Sequence, residues 1–498
     1  MMKQMSAPSQ RFGLNRRHFL QLSTLGLGVG AMAALAGCGG PTGRKPLDTA
    51  GQIDFRNPLH VPPLAKSELK GGQRVFDLVT QSGQTEIVPG GKADTWGVNG
   101  AFLGPTLRVR RGEEIRLNVS NELDEPTTLH WHGMRLPAAA DGGPHQMVEP
   151  GKTWSPSWTI DQPAATLWYH PHPHGQTERH VYKGLGGMFI IDDDEEAALA
   201  LPRDYGVDDI PVIVQDKTFN DVGQLVETGR IGVGMLGSTV LVNGTAAPML
   251  DVVAEHTRLR LLNASSARSY NFGFSDDRTF TMIGSDGGLL AAPVPLTRLM
   301  LTPGERAEII VASVPGETVS LRSFPQDLGV SETRAAESGS LDTLDILELK
   351  AASVLKPSAP IPAKLAEVVY PDPALAGDME MFQLGDNVIN SKHMDMDRID
   401  LEVKAGSTQA WTVFNAHNQP HNFHIHDVQF QILTVDNQPP PPELAGWKDT
   451  VYVPPGVTVR LLMQFGELTD PVIPYMFHCH LLWHEDMGMM GQFLVVDA

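Results

Sequence analysis

The sequence predicts an all-β chain of three sandwich-like units. Three observations carry that prediction: short β-branched segments bounded by turn residues, a dense supply of Gly and Pro, and two composition breaks that divide the chain into comparable lengths. The 498 residues include 49 Gly and 38 Pro, with 41% hydrophobic and 19% charged, which is too apolar for disorder and too rich in turn formers for an all-helical protein. Thr85–Val88, Leu107–Val109, Ile115–Val119, Thr257–Leu262 and Gln409–Phe414 read as strands, several of them alternating apolar and polar residues. The breaks are the acidic run Asp192–Glu196 and the Pro-rich stretch Lys356–Pro373. They define units at 69–197, 205–350 and 375–498, with connecting segments at 39–68 and 351–374. Asn121, Asn263 and Asn415 each follow an apolar-rich strand, a hint of internal repetition whose uneven spacing does not establish it.

Residues 1–38 read as an export leader. Arg16-Arg17 is followed by the mildly apolar, Gly- and Ala-rich run Leu20–Ala36 and then by small residues. The run is short and weakly apolar for a membrane span. Ala34-Leu35-Ala36 suits an ordinary signal peptidase, whereas Leu35-Ala36-Gly37-Cys38 resembles the bacterial lipobox, and a lipid anchor at Cys38 is the slightly favoured outcome. A twin-arginine route places the product in the periplasm or another extracytoplasmic space, and is often associated with cofactor-containing enzymes. The formal charge of −20 repels phosphate backbones, so nucleic acid is excluded as a partner. Only Cys38 and Cys479 are present, which makes a structural disulfide implausible and requires another reason for Cys479.

Histidine placement supplies the reason. Chance would give about 0.65 His-x-His pairs for 18 His in 498 residues, yet five occur: His130/His132, His170/His172, His172/His174, His424/His426 and His478/His480. On a strand, residues i and i+2 share a face, so each pair presents two imidazoles together, and imidazole suits copper, zinc and iron. The alternation also turns Cys479 away from His478 and His480, so one strand can serve two sites. Cys479, His484 and a more distant histidine form a trigonal His2Cys set with Met489 as axial thioether, the blue-copper arrangement. Zinc accepts Cys and His but has no use for that thioether.

Four motifs, His130-Trp131-His132-Gly133, Trp168–Gly175, His421–His426 and His478–Met489, are similar to those of the three-domain bacterial multicopper oxidases, in the cuprous oxidase and laccase branch. The resemblance covers residues 70–498 and implies three cupredoxin-like Greek-key sandwiches. It implies four copper ions: a type 1 copper on His421, Cys479, His484 and Met489; a type 2 copper on His130 and His424; and a type 3 pair on His132, His170 and His480 and on His172, His426 and His478. The ligands come from the outer units, so the trio of coppers is expected between them, with the middle unit as a spacer. Cys479 then joins the two centres covalently. The implied reaction is four one-electron oxidations coupled to reduction of dioxygen to two waters by a monomer. Asp141 and Glu485 match the family's acids near the cluster and in proton delivery; Asp449 is a weaker candidate for supporting a ligand. His174 matches no ligand and is read as supporting or structural. His417 and the remaining histidines receive an ordinary surface or packing reading.

The reductant is a small phenolic or aromatic molecule, or Cu(I). Asn415–Pro420, ahead of His421, lacks the Asp and Met that cuprous oxidases carry there. Met379, Met381, Met394 and Met396 are read as core fillers in the first instance. Asn422 and Asp427 depart from the Pro and Gly common in the family, which leaves the loop geometry open. Two other functions are weighed: a copper-free cupredoxin-fold scaffold of the cell-division type, disfavoured by twelve ligand positions being filled, and nitrite reduction, whose two-domain relatives arrange their ligands differently.

Overall fold

Apolar alternation produces strands here, and Gly, Pro or Asp ends them. The computed structural model describes residues 44–377 and 379–497, so the leader and Cys38 lie outside the described residues. The described strands form six sheets, paired into three cupredoxin-like sandwiches. The first sandwich packs a sheet containing Gln73–Thr85 and Glu114–Asn121 against Leu107–Arg110, Gly187–Asp192, Ala165–His170 and His130–His132. The second packs a sheet built on Asp209–Lys217, His256–Asn263 and Arg306–Ala312 against one built on Pro248–Ala254, Leu344–Lys356 and Thr318–Ser323. The third sets Glu380–Leu384, Thr408–Asn415, Thr458–Gln464 and Phe430–Val435 against Leu401–Lys404, Met490–Val496, Tyr475–His478, His421–Ile425 and Thr450–Val453. Each sandwich has its own core, centred on Leu117, Trp131 and Phe189, on Leu259, Ile309 and Leu347, and on Trp411, Leu461 and Phe493. Burying each such side chain contributes about 1.5–3 kcal/mol.

The units repeat one another. In each, one sheet has a parallel pair made early in the unit: Gln73–Thr85 with Glu114–Asn121, Asp209–Lys217 with His256–Asn263, and Glu380–Leu384 with Thr408–Asn415. The other sheet has a parallel pair joining an early strand to the last: Leu107–Arg110 with Gly187–Asp192, Pro248–Ala254 with Leu344–Lys356, and Leu401–Lys404 with Met490–Val496. The three asparagines then make matching bonds. Asn121 Nδ2 donates to Glu125 O and Val148 O while its Oδ1 accepts from Leu123 N. Asn263 does the same with Arg268 O, Leu301 O and Ser265 N, and Asn415 with Gln419 O, Val453 O and His417 N. Loose sequence spacing thus conceals one corner built three times.

Three expectations need correction. The segment Thr85–Val88 is not a strand: Gln73–Thr85 ends where Thr85 pairs with Ala93, and Pro89 and Gly90, with φ at 116°, carry the turn of that hairpin. The described part of 39–68 is docked rather than free, since Asn57–Pro58 runs parallel to Pro248–Met249 and Arg44 pairs with Asp342 at 2.5 Å. Strand Leu344–Lys356 likewise continues into the Pro-rich stretch, and Leu365 packs in the second core.

Candidate metal centres

Strand ends, more than strand interiors, bring the histidines together. His130–His132 is a short buried strand, so its two rings do share a face. His170 closes Ala165–His170, and Pro171 and Pro173, lacking N–H groups, take His172 off the ladder. His424 lies within His421–Ile425 with His426 just beyond, and His478 ends Tyr475–His478 with Cys479 and His480 beyond. The antiparallel register His424↔His478 in the third sandwich, and His170↔His130 in the first, then sets the rings opposite one another.

Cys479, His421 and His484 form a closed triad. Cys479 Sγ lies 3.5 Å from His421 Nδ1 and 3.6 Å from His484 Nδ1, and the two nitrogens are 3.1 Å apart. The point equidistant from the three lies about 2.0 Å from each, the length of a metal–nitrogen bond and slightly short for metal–sulfur. The far nitrogen of each ring is occupied: His484 Nε2 donates to Gly232 O at 2.9 Å, and His421 Nε2 lies 3.1 Å from His417 Nδ1. With those bonds made, both Nδ1 lone pairs face the thiol. Met489 is fully buried, and Cys479 N–H donates to its carbonyl while its own N–H donates to His484 O. Burial pushes the Cys479 thiol up to about 12, so a cation at this point is what would hold it as thiolate.

Eight further histidines, all buried, meet between the first and third sandwiches. His172, His426 and His478 converge through Nε2, with His478 Nε2 3.2 Å from each of the other two. His132 Nδ1 faces His170 Nε2 at 3.4 Å. His130 and His424 turn Nδ1 to the carbonyls of Asp141 and Asp449, at 2.9 and 2.8 Å, which leaves both Nε2 atoms buried without a partner. His480 has neither ring nitrogen paired, and its ring centre lies 4.9 Å from that of His132 and 5.2 Å from that of His170. His480 completes no three-donor group among the described residues, whereas His172, His426 and His478 do, as do His421, Cys479 and His484. Buried polar atoms are almost always hydrogen-bonded, and so many orphaned imidazole nitrogens facing one another fit metal ions. Burial lowers the pKa of His132, His170, His172, His424, His426 and His480, with neighbouring rings adding to it for most, which keeps these rings in the neutral, ligating form. An imidazole cluster beside a His2Cys triad with a buried thioether is the donor chemistry of copper.

The acids stand against these rings. Asp141 Oδ2 accepts from His426 Nδ1 at 2.8 Å while its carbonyl holds His130, so one residue orients imidazoles from two sandwiches. Glu485 lies 3.3 Å from both His172 Nδ1 and His478 Nδ1, and burial raises its pKa well above the usual carboxylate range. Asp449 Oδ1 accepts from His132 Nε2 at 2.9 Å. Asn422, in place of the usual Pro, donates to Thr302 Oγ1 and Pro303 O and accepts from His480 N at 2.6 Å. Asp427 adopts φ of 68°, the left-handed backbone for which Gly is suited.

Some readings change. His417 is not ordinary packing but the contact behind His421; its position four residues ahead of that ligand was the available signal. Gly232 offered none, being a backbone carbonyl of the middle unit. His174 is exposed. Met379 and Met381 are 49% and 65% exposed, and Met394 and Met396 half-buried, so they do not fill the core; Met381 points outward from the edge strand Glu380–Leu384.

Family models described as multicopper oxidase match residues 80–196 and 366–498. A cell division protein FtsP of Escherichia coli (strain K12) is 37% identical over 489 residues, covering 97% of this chain and 99% of that protein. A laccase from Pediococcus acidilactici is 37% identical with a TM-score of 0.80, covering 89% of this chain and 95% of that one. A laccase-like multi-copper oxidase from the lignin-degrading bacterium Ochrobactrum sp., with oxidase activity towards lignin model compounds and lignosulfonate, is 36% identical with a TM-score of 0.81, covering 88% of this chain and 100% of that one.

Proposed function

The chain belongs to the multicopper oxidase family, and from that premise we propose that it is a copper-loaded oxidase that takes electrons singly from a small reductant and passes them to dioxygen. The observation that supports this most is the orientation of the rings: outward nitrogens are tied to Gly232, His417, Asp141 and Asp449, while the Nε2 atoms of His130 and His424 and both ring nitrogens of His480 are left without a protein partner and the other inward nitrogens face one another or Cys479. A scaffold has no need of buried, unpaired donors, each of which costs about 1–3 kcal/mol.

In this reading His421, Cys479, His484 and Met489 hold one copper, and His130, His132, His170, His172, His424, His426, His478 and His480 hold three. Bound copper supplies one-electron transfer and the four-electron reduction of dioxygen to water. The protein's own part is orientation and protons. Asp141 fixes the tautomers of His130 and His426. Glu485 lies 3.3 Å from the Nδ1 atoms of both His172 and His478 and is the carboxyl positioned to pass a proton toward product water. Dense burial of the ligands excludes bulk water from both centres. The reductant is a phenol, an aromatic amine or Cu(I), reacting on the surface above His421 and His484. Export by the twin-arginine leader to the periplasm, with Cys38 as lipid anchor, belongs to the same proposal; among the described residues no helix is long and apolar enough to cross a membrane.

A second reading rests on one observation, the cell division proteins that match nearly the whole chain: the protein is a copper-free division factor. Copper analysis, the visible spectrum and oxygen uptake with a phenol and with Cu(I) separate the two. The oxidase reading expects about four coppers per chain and a blue band. Cys479→Ser abolishes the band and turnover in a protein that remains folded; survival of both contradicts the assignment, and a folded wild type that takes up no copper supports the division-factor reading.

A further inference from the structure

Resting on the copper reading, we propose that Arg306 of the middle sandwich is a positioning residue of the trinuclear centre, acting through Asp449 on His132 and His424. Arg306 begins the strand Arg306–Ala312 and is fully buried. Its Nη1 donates to Asp449 Oδ1 at 2.7 Å and its Nη2 to Asp449 Oδ2 at 2.6 Å, a bidentate fork that fixes the plane of the carboxylate. The same Oδ1 accepts from His132 Nε2, a residue of the first sandwich, and the Asp449 carbonyl accepts from His424 Nδ1, a residue of the third. One residue of the third unit therefore aims ligands from two units, and the middle unit decides how its carboxylate lies.

Arg306 is itself held. Its backbone N–H donates to Asp286 Oδ1 at 2.7 Å, its Nη2 to Asp286 O, and its Nε to Thr166 O of the first sandwich. Two glycines leave room for this junction. A Cβ on Gly133, where φ is 84°, would come within 2.6 Å of both Arg306 Nη2 and Asp449 Oδ2. A Cβ on Gly304, where φ is 88°, would press on the His480 ring at 3.1 Å. The Gly of His130-Trp131-His132-Gly133 is thus explained by the ion pair lying against it. The middle unit is accordingly not a spacer: through Arg306 it sets a ligand tautomer, and through Gly304 it backs another ligand ring.

Arg306→Leu and Arg306→Lys, made in the full chain and loaded with copper beside the wild type, test the proposal. Copper retention against a chelator, the blue band and the type 2 electron paramagnetic resonance signal are the readouts. Arg306→Leu is expected to keep the blue band per chain, which shows a folded protein, to hold trinuclear copper about 10–100-fold more weakly, and to lose or alter the type 2 signal. Arg306→Lys is expected to restore that signal in part, because it returns the charge without the fork. Unaltered copper retention and type 2 signal in Arg306→Leu overturn the proposal. Where Arg306→Leu loses the blue band as well, Arg306→Lys, which keeps the buried charge and removes the fork, takes its place: a changed type 2 signal with an intact blue band supports the proposal and an unchanged one overturns it. A wild type without copper overturns the oxidase reading and this inference together, whereas a loaded wild type beside an unaffected Arg306→Leu overturns this inference alone.

Discussion

His421 differs from a packed histidine by the placement of one proton. Its Nε2 faces His417 and its Nδ1 faces Cys479 and His484, so removing the partner frees the ring to flip or take the other tautomer. His417→Ala is expected to weaken type 1 copper retention about 10–100-fold, read by chelator competition followed at the blue band; unchanged retention would show that the ring is held by packing alone. Met489 makes a different claim. Its backbone is bonded to Cys479 and His484, and Met489→Leu is expected to keep the copper and raise its reduction potential, because an axial thioether tunes that potential. A redox titration giving the wild-type value would remove Met489 from the axial position. At this scale the sequence named the residues that the fold gathers into the two clusters, since Cys and His have few reasons to recur at such spacings. It could not disclose Gly232, because a carbonyl oxygen carries no residue identity.

The repeated asparagine corner is the element-scale feature of the molecule. Each Asn is fully buried and ties the end of its strand to a turn and to a second strand, which an aliphatic residue cannot do. Asn263→Ala strands the carbonyls of Arg268 and Leu301 and the N–H of Ser265. The expected loss is about 2–4 kcal/mol, measured as a lower urea midpoint; a loss under about 1 kcal/mol would mean that water replaces the side chain. Strands such as Glu114–Asn121 and Thr408–Asn415 were readable from alternation and β-branching. Thr85–Val88 was not, because whether an apolar stretch joins a ladder depends on the partner strand, and Thr85 already faces Ala93.

Across the whole molecule, buried charge joins the sandwiches. Glu308 accepts from Thr166 Oγ1 of the first unit at 2.6 Å and pairs with Arg258 and Arg260 of the second. Burial opposes its ionisation, but the two guanidiniums outweigh it and hold Glu308 down at about 2, below its ordinary 4.5. A carboxyl with a depressed folded-state pKa contributes stability that is present above about pH 4.5 and lost as pH falls toward about 2. Glu308→Gln is therefore expected to flatten the fall of the urea midpoint across that window. At pH 7 it is expected to cost about 3–5 kcal/mol, because two buried guanidiniums lose their counter-charge. An unaltered slope would show that other carboxylates govern acid unfolding. None of this was visible in the sequence, where Arg258 and Arg260 read only as polar positions of the segment Thr257–Leu262.

By itself the sequence determined the chemistry: a thiol flanked by imidazoles, paired histidines in four regions, turns at Gly and Pro, and enough β-branched alternation for three sandwiches. These are local properties, set by side-chain identity at short spacing. Only the tertiary structure decided which nitrogen each ring presents, that Asp141 and Asp449 each serve two units, and that the middle sandwich reaches both centres through Gly232 and Arg306. Such choices belong to contacts between residues hundreds of positions apart, and a carbonyl or a buried guanidinium acquires its role only when folding sets it against its partner.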